Sequence, residues 1–411
     1  MNKLNELIQQ FCPDGVEYKT LGEIATDIYR GSGIKREQVT VSGIPCVRYG
    51  EIYTTYGIWF DKCVSHTDVS LISGPKYFEH GDILFAITGE SVEDIAKSCA
   101  YVGHEKCLAG GDIVVLKHAQ NPKYLAYALS TLDARKQKSS GKVKSKVVHA
   151  SVPSIKAIRV PLPPIEVQRE IVRILDNFAE LTAELTAELT AELTARKKQY
   201  RFYRDKLLTS VDTIKVVPLR EVVTHSCSGG TPTKGVGEYY ENGNIPWIRT
   251  QDVRFNEIYG VDSYITEKAV EKTSAKWIPE NCVIVAISGA SAGRCAINKI
   301  QATTNQHCLN LEINPQKAHY KYVFHCLCHK YQELLAKKQG ARGDLNSTLI
   351  LNTEILLPSL AVQERIVRVL DNFDVICSDL NIGLPAEIEA RQKQYEYYRD
   401  KLLTFKERIS T

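Results

Sequence analysis

Six basic residues crowd one twelve-residue stretch: Arg135, Lys136, Lys138, Lys142, Lys144 and Lys146, interleaved with Ser139, Ser140 and Gly141 and no acid. The second half of the chain offers Lys337, Lys338, Gly340, Arg342 and Gly343 at a corresponding place. A lysine or arginine in an open loop can neutralise a phosphate, and glycine lets backbone N–H groups approach one. The same composition also suits a solvated loop with no ligand. Residues 228–234, Ser-Gly-Gly-Thr-Pro-Thr-Lys, set Thr231, Thr233 and Lys234 beside glycines, and Arg30-Gly-Ser-Gly-Ile-Lys35 parallels them. Neither is a Walker A loop, because no Gly-Lys-Ser/Thr ending follows. Arg48 with Tyr49, and Arg249 with Thr250 and Gln251, each follow an Ile-Pro run. Arginine and glutamine can pair bidentately with guanine and adenine edges, although structural salt bridges explain the arginines equally well. Arg294 completes the basic set.

No residue pattern supports catalysis by this chain. There is no Asn-Pro-Pro-Tyr-type base-methylation loop, glycine-rich methyl-donor strand, nuclease carboxylate-lysine cluster or nucleophile–base pair. His66, His80, His104 and His307 are scattered and read as structural or loop residues. The twelve cysteines are thinly spread, which fits reduced, mostly buried thiols of a cytoplasmic protein. His325-Cys-Leu-Cys-His329 lacks a second pair at zinc spacing, so it reads as core and no metal site is expected. No apolar run reaches the ~18–20 residues that cross a bilayer, and residues 1–4 open no signal peptide. The net charge of +4 is too mild, as an average, to announce a nucleic-acid binder. Its local concentration points the other way.

The elements that would position these groups come from an internal duplication. Val167-Gln-Arg-Glu-Ile-Val-Arg-Ile-Leu-Asp-Asn-Phe178 recurs as Val362-Gln-Glu-Arg-Ile-Val-Arg-Val-Leu-Asp-Asn-Phe373, with nine of twelve residues identical. Ala195-Arg-Lys-Lys-Gln-Tyr-Arg-Phe-Tyr-Arg-Asp-Lys-Leu-Leu-Thr209 recurs as Ala390-Arg-Gln-Lys-Gln-Tyr-Glu-Tyr-Tyr-Arg-Asp-Lys-Leu-Leu-Thr404, with twelve of fifteen identical. Both copies stand 195 residues downstream, so the two segments are equally long. The intervening segments match only in outline, as in Ile44-Pro-Cys-Val-Arg48 against Ile245-Pro-Trp-Ile-Arg249. They share a fold but not a surface.

From residue 165 to residue 208 there is no Gly or Pro, and Ala, Glu, Leu, Lys and Arg dominate, which predicts one long helix. Thr-Ala-Glu-Leu occurs three times in tandem within it, so Leu181, Leu185, Leu189 and Leu193 form a stripe that can seat a partner helix. Each unit would also adjust length, adding ~6 Å and ~40°. In the second copy Gly383 and Pro385 predict a kink or break, followed by a fresh first turn. Equal lengths favour antiparallel pairing of the two segments, with a coiled coil between two chains as the other arrangement. Short β-branched runs such as 81–87, 112–116 and 281–287 read as strands, and 121–132 and 318–338 as one helix in each half. The fold class is α+β, with two similar β-rich domains separated by two long antiparallel helices.

With these motifs in place, the chain resembles the specificity subunit of type I restriction-modification systems over essentially its whole length. The resemblance is carried by Cys12-Pro-Asp-Gly-Val-Glu-Tyr18, Ser228-Gly-Gly-Thr-Pro232, Ile245-Pro-Trp-Ile248, the repeated helical segments and the Thr-Ala-Glu-Leu spacer. In the first half Gly31-Ser-Gly33 stands where Gly-Gly-Thr-Pro is common. The resemblance implies target-recognition domains at 1–160 and 211–358, each reading half of an asymmetric, bipartite duplex DNA sequence, and helical regions at 161–210 and 359–411. It implies two methylation subunits docked on the helices, with Gln168, Arg173, Tyr200, Tyr203 and Arg204 as contacts, and Gln363, Arg368, Tyr395, Tyr398 and Arg399 in the repeat. Restriction subunits would join that assembly. S-adenosylmethionine, ATP and Mg2+ would belong to the partners and none to this chain. The alternative is a non-catalytic interaction protein presenting two β-rich ligand-binding domains on a coiled-coil stalk. A solitary methyltransferase would require methyl-donor binding by the chain itself.

Overall fold

A strand without polar alternation must be buried on both faces. Ile83, Leu84, Phe85 and Ala86 show how this is met. Successive side chains point to opposite faces, so Ile83 and Phe85 enter a core beneath helices while Leu84 and Ala86 enter one beneath a second sheet. The strand Val283–Ala286 repeats the division, Val283 and Val285 on the helix side and Ile284 and Ala286 on the other. The computed structural model describes residues 2–89, 91–139, 148–209, 215–337, 344–378 and 383–408. The chain forms two units, Met1–Glu188 with Ile388–Thr411, and Leu189–Glu387.

In the first unit the central sheet runs Ala25–Arg30, Ile113–His118, Ile83–Ala86, Ser98–Tyr101, Trp59–Phe60. In the second it runs Val223–Ser228, Cys308–Ile313, Val283–Ala286, Cys295–Asn298, Asn256–Ile258. Each sheet is antiparallel except at its last pair, which is parallel. A smaller sheet packs on one face, built around the parallel pair Ile44–Val47 with Cys107–Ala109, or Ile245–Ile248 with Ala302–Thr304. On the other face lies a helix, Pro122–Ser130 or Tyr320–His329. The domains are α+β, and the duplication extends to strand order and sense.

The long helix spans Ile165–Thr209, 45 residues, or ~68 Å at 1.5 Å per residue. Its counterpart is two helices, Leu360–Ser378 and Leu384–Leu402, the second with Pro385 in its first turn. There the missing amide hydrogen of proline costs nothing. Within the second unit the partners are antiparallel. Phe373 packs on Tyr200, with ring centroids 6.2 Å apart, while the later Cys377 lies beside the earlier Arg196 and Lys197. Within the first unit Phe178 meets Tyr398, with centroids 5.9 Å apart. Leu185, Leu189 and Leu193 are half-buried, whereas Leu181 is 63% exposed.

Two expectations change. The single helix expected over 318–338 is two, Tyr320–His329 and Tyr331–Ala336, because Lys330 leaves helical geometry with ψ near 2°. The basic stretch expected to be a loop begins as a helix, Leu132–Ser139, whose first amide is capped by Asp400 Oδ2 at 3.0 Å. The first unit is also closed by its two sequence-distant ends. Val16 N–H donates to Lys406 O at 2.9 Å, and Arg408 N–H to Val16 O at 2.9 Å.

Candidate nucleic-acid interface

In each unit one short turn carries the chain from the smaller sheet to the central one. In the first unit this corner is Gly110-Gly111-Asp112, and in the second Asn305-Gln306-His307. Four backbone hydrogen bonds gather other segments around it. In the first unit Ser32 N bonds Ala109 O (2.9 Å), Gly110 N bonds Val47 O (2.8 Å), Ile87 N bonds Asp112 O (2.9 Å) and Ala150 N bonds Ile87 O (2.9 Å). In the second unit Gly230 N bonds Thr304 O (2.9 Å), Asn305 N bonds Ile248 O (3.0 Å), Ile287 N bonds His307 O (2.8 Å) and Leu345 N bonds Ile287 O (2.8 Å). The same backbone frame thus stands twice. It requires close packing: a Cβ on Gly31 would lie 2.3 Å from Gly110 O, and one on Gly229 would lie 2.0 Å from Thr304 O.

This frame brings together most of the groups singled out in the sequence. Lys35 is exposed beyond the Ser32 contact, and Arg48 and Tyr49 follow Val47 directly. Thr231, Thr233 and Lys234 are exposed beyond Gly230, and Arg249, Thr250 and Gln251 follow Ile248. Arg48 and Arg249 are positioned by their own amides, which donate to Glu51 Oε2 (3.0 Å) and Asp252 Oδ2 (2.8 Å). No carboxylate pairs with either guanidinium among the described residues, and buried Arg249 Nε has no partner. Arg294 lies half-buried just before the strand Cys295–Asn298. Lys142, Lys144, Lys146, Lys338 and Arg342 fall outside the described residues.

Lys138 does not belong to this surface. Its Nζ is buried, donating to Ser98 Oγ at 3.0 Å and Leu129 O at 2.8 Å. Burial pulls its pKa down to about 7. An ammonium held this way ties two elements together and cannot meet a phosphate. From sequence, His307 reads as a structural or loop residue, and Gln306 carries no signal of its own. Gln306 and His307 are exposed, and Thr231 donates its hydroxyl to Gln306 Oε1. Gln306 Nε2 lies 3.2 Å from His307 Nε2. Extending the 195-residue offset from the helices back to Gly111 and Asp112 would have found them.

The helix-docking side is built from repeated chemistry. Gln168 is fully buried, accepts from Asn121 N at 3.1 Å and donates to Pro163 O at 2.8 Å. Gln363 likewise accepts from His319 N at 2.8 Å and donates to Pro358 O at 2.9 Å. These glutamines fasten each domain to its helix, so neither is a contact for another subunit. Arg399 is also buried, forked onto Asp400 Oδ1 at 2.7 and 2.8 Å, and is corrected in the same way. Arg204 is mostly covered, beside Asp205 and over the Tyr200 ring. Tyr200 and Tyr395 are half-buried, while Arg173 and Arg368 are exposed.

Ion pairs complete the docking. Asp176 accepts from Lys123 Nζ (2.8 Å) and Tyr127 OH (2.8 Å). Asp371 accepts from Lys321 Nζ (2.7 Å) and sits 3.1 Å from His325 Nε2. Burial pushes the Asp371 pKa up, but the bonds from His325 and Lys321 outweigh that and hold it below the ordinary carboxylate value. Among the described residues no helix is long and apolar enough to cross a membrane, and no group of three or more His, Cys, Asp or Glu could hold a metal.

Two three-layer domains, each with one loop-lined corner and each fastened to a repeated helix, define a duplicated recognition protein. A family model described as "Type I restriction modification DNA specificity domain" matches residues 13–195 and again 212–390. The type I restriction enzyme EcoR124I/EcoR124II specificity subunit of Escherichia coli is 38% identical over 295 residues, 69% of this chain and 70% of that protein. Among solved structures, one from a study of complex assembly and conformational transition of the type I R-M system covers 96% of this chain and 98% of that one, with TM-score 0.73 and 16% identity. The HsdS subunit from Thermoanaerobacter tengcongensis covers 96% of each chain, with TM-score 0.60 and 16% identity. The chain belongs to the type I restriction-modification DNA specificity family.

Proposed function

We propose that this chain is the DNA sequence-specificity subunit of a type I restriction-modification complex, each domain reading one half of an asymmetric, bipartite duplex target. The chain is a targeting subunit and does no chemistry alone. The observation that carries this reading is the corner built twice on one backbone frame with different side chains around it. A common frame presents two surfaces to one kind of ligand, and dissimilar surfaces read dissimilar sequences. Family membership sets aside the stalk-borne binder of protein or glycan ligands.

The helices support two copies of one further partner, the methylation subunit, with restriction subunits joining in the cytoplasm. Phe202 and Tyr203 are 62% and 39% exposed, and their repeats Tyr397 and Tyr398 are 61% and 38% exposed. Tyr203 packs on Phe373 and Tyr398 on Phe178, both at 5.9 Å. Equal aromatic anchors on equal helices suit equal partners. S-adenosylmethionine, ATP and Mg2+ would be bound by those partners.

The long helix, which leaves the first unit and enters the second, would set the spacing of the two half-sites. Mapping modified bases genome-wide in cells carrying the whole operon tests the reading. Deleting residues 186–189 removes ~6 Å of rise and ~40° of rotation, so the gap between half-sites should change by about one base pair. An unchanged gap with altered half-site bases would overturn the spacer role. Affinity for the target should fall steeply with salt, and a flat response would count against phosphate-led binding.

A further inference from the structure

The two corners share every backbone hydrogen bond described above, yet they present different chemistry. In the first unit the corner is nearly bare. A Cβ on Gly111 would lie 3.1 Å from Gly33 Cα, so no side chain fits there without movement. Arg30 Nε donates to Gly111 O, and Arg30 is paired with Asp112 at 2.6 Å. In the second unit the equivalent position is Gln306, exposed and held at both ends of its amide.

That holding is selective. A glutamine amide has two hydrogens to donate and two lone pairs to accept with. Thr231 uses one lone pair and His307 takes one hydrogen, which leaves one donor and one acceptor on the same amide. Adenine presents the complementary pair in the major groove, the N7 acceptor and the N6 amino donor. The turn beneath is rigid: Asn305 is buried, its Oδ1 accepts from His307 N at 3.2 Å, and its amide is tied to Ile248 O. A side chain fixed before binding loses little entropy on binding.

We propose that Gln306 is a specificity-determining residue, reading one adenine of the half-site that belongs to the second domain, with Thr231 positioning its amide. The proposal rests on the family's DNA-reading role and names the residue and base within it. The first domain has no counterpart at this position and reads its half-site from the flanking segments.

The test uses the assembled complex with its methylation subunits and a library of targets varied one base at a time. Gln306→Ala should lower preference for adenine at one position of one half-site by about 5- to 100-fold. The other half-site and the thermal stability should be unchanged. Thr231→Val should relax the same position by a smaller factor, about 2- to 10-fold. Equal weakening on every target, relaxation in both half-sites, or a target left unchanged would overturn the assignment. A wild-type complex with no discrete bipartite target would instead overturn the DNA reading beneath it.

Discussion

The docking side and the reading corner of these domains have diverged to different degrees, although both are built on duplicated backbone. At the docking side Gln168 and Gln363 make the same bonds, and Asp176 and Asp371 each accept from a lysine. At the corner the equivalent of Gly111 is Gln306, and that of Asp112 is His307. A buried polar contact tolerates little change because an orphaned partner costs its full desolvation. An exposed turn carries no such constraint. The contrast teaches that identity is kept where a domain must be fastened and released where it must discriminate.

The largest expected effect breaks the symmetry of the docking side. In the second unit Lys337 pairs with Glu333 at the surface, whereas the first unit holds a buried amine, Lys138, near its docking side. Its pKa is lowered from 10.5 to about 7 by burial. Between those values the unfolded chain binds the proton and the folded one does not, so stability rises with pH across that window. Below pH 7 both states are protonated and the cost is fully present. The full span is about 3–5 kcal/mol at 1.36 kcal/mol per pKa unit. Lys138→Met should remove that slope in denaturant titrations at pH 7 and pH 10. A slope unchanged by the substitution would show that the amine titrates elsewhere.

Next in size, Gln168→Ala and Gln363→Ala should each destabilise their own unit by about 2–3 kcal/mol through unpaired buried groups. Hydrogen exchange resolved by unit is the measurement, and a loss confined to only one of the two variants would break the equivalence. The smallest effect concerns Asp371, whose lowered pKa means that its contribution is present above about pH 4 and is lost as pH falls through the folded value. About a third exposed, it is worth about 1 kcal/mol at most. Asp371→Asn should flatten the acid limb of the second unit by that amount, and an unaltered limb would assign acid sensitivity to other carboxylates.

Much of this architecture was legible because its signals are local or repetitive. The long helix follows from 44 residues without Gly or Pro, and the break at Gly383 and Pro385 follows from the side-chain chemistry of those two. The two-sided strands follow from unalternated runs such as Ile83–Ala86. What stayed hidden depends on tertiary contact. Lys138 sits in a sequence indistinguishable from a solvated loop, and its burial depends on the distant Ser98, Leu129 and Phe85. Gln168 and Gln363 are polar residues on helices, a type that ordinarily faces solvent, and their role requires the amide that each one receives. Gln306 was missed because histidine and glutamine in a turn carry no periodicity.

The bonds between Val16 and residues 406 and 408 give the two units different histories on the ribosome. The second unit is one continuous run, Leu189–Glu387, and can complete its core as soon as that run has emerged. The first unit has Leu403 in the same core as Leu4, so it stays unfinished while the whole second unit is made. At 5–20 residues per second that delay is on the order of 10–40 s. During it Phe178 lacks the Tyr398 ring that packs on it, and the domain translated first becomes the one completed last.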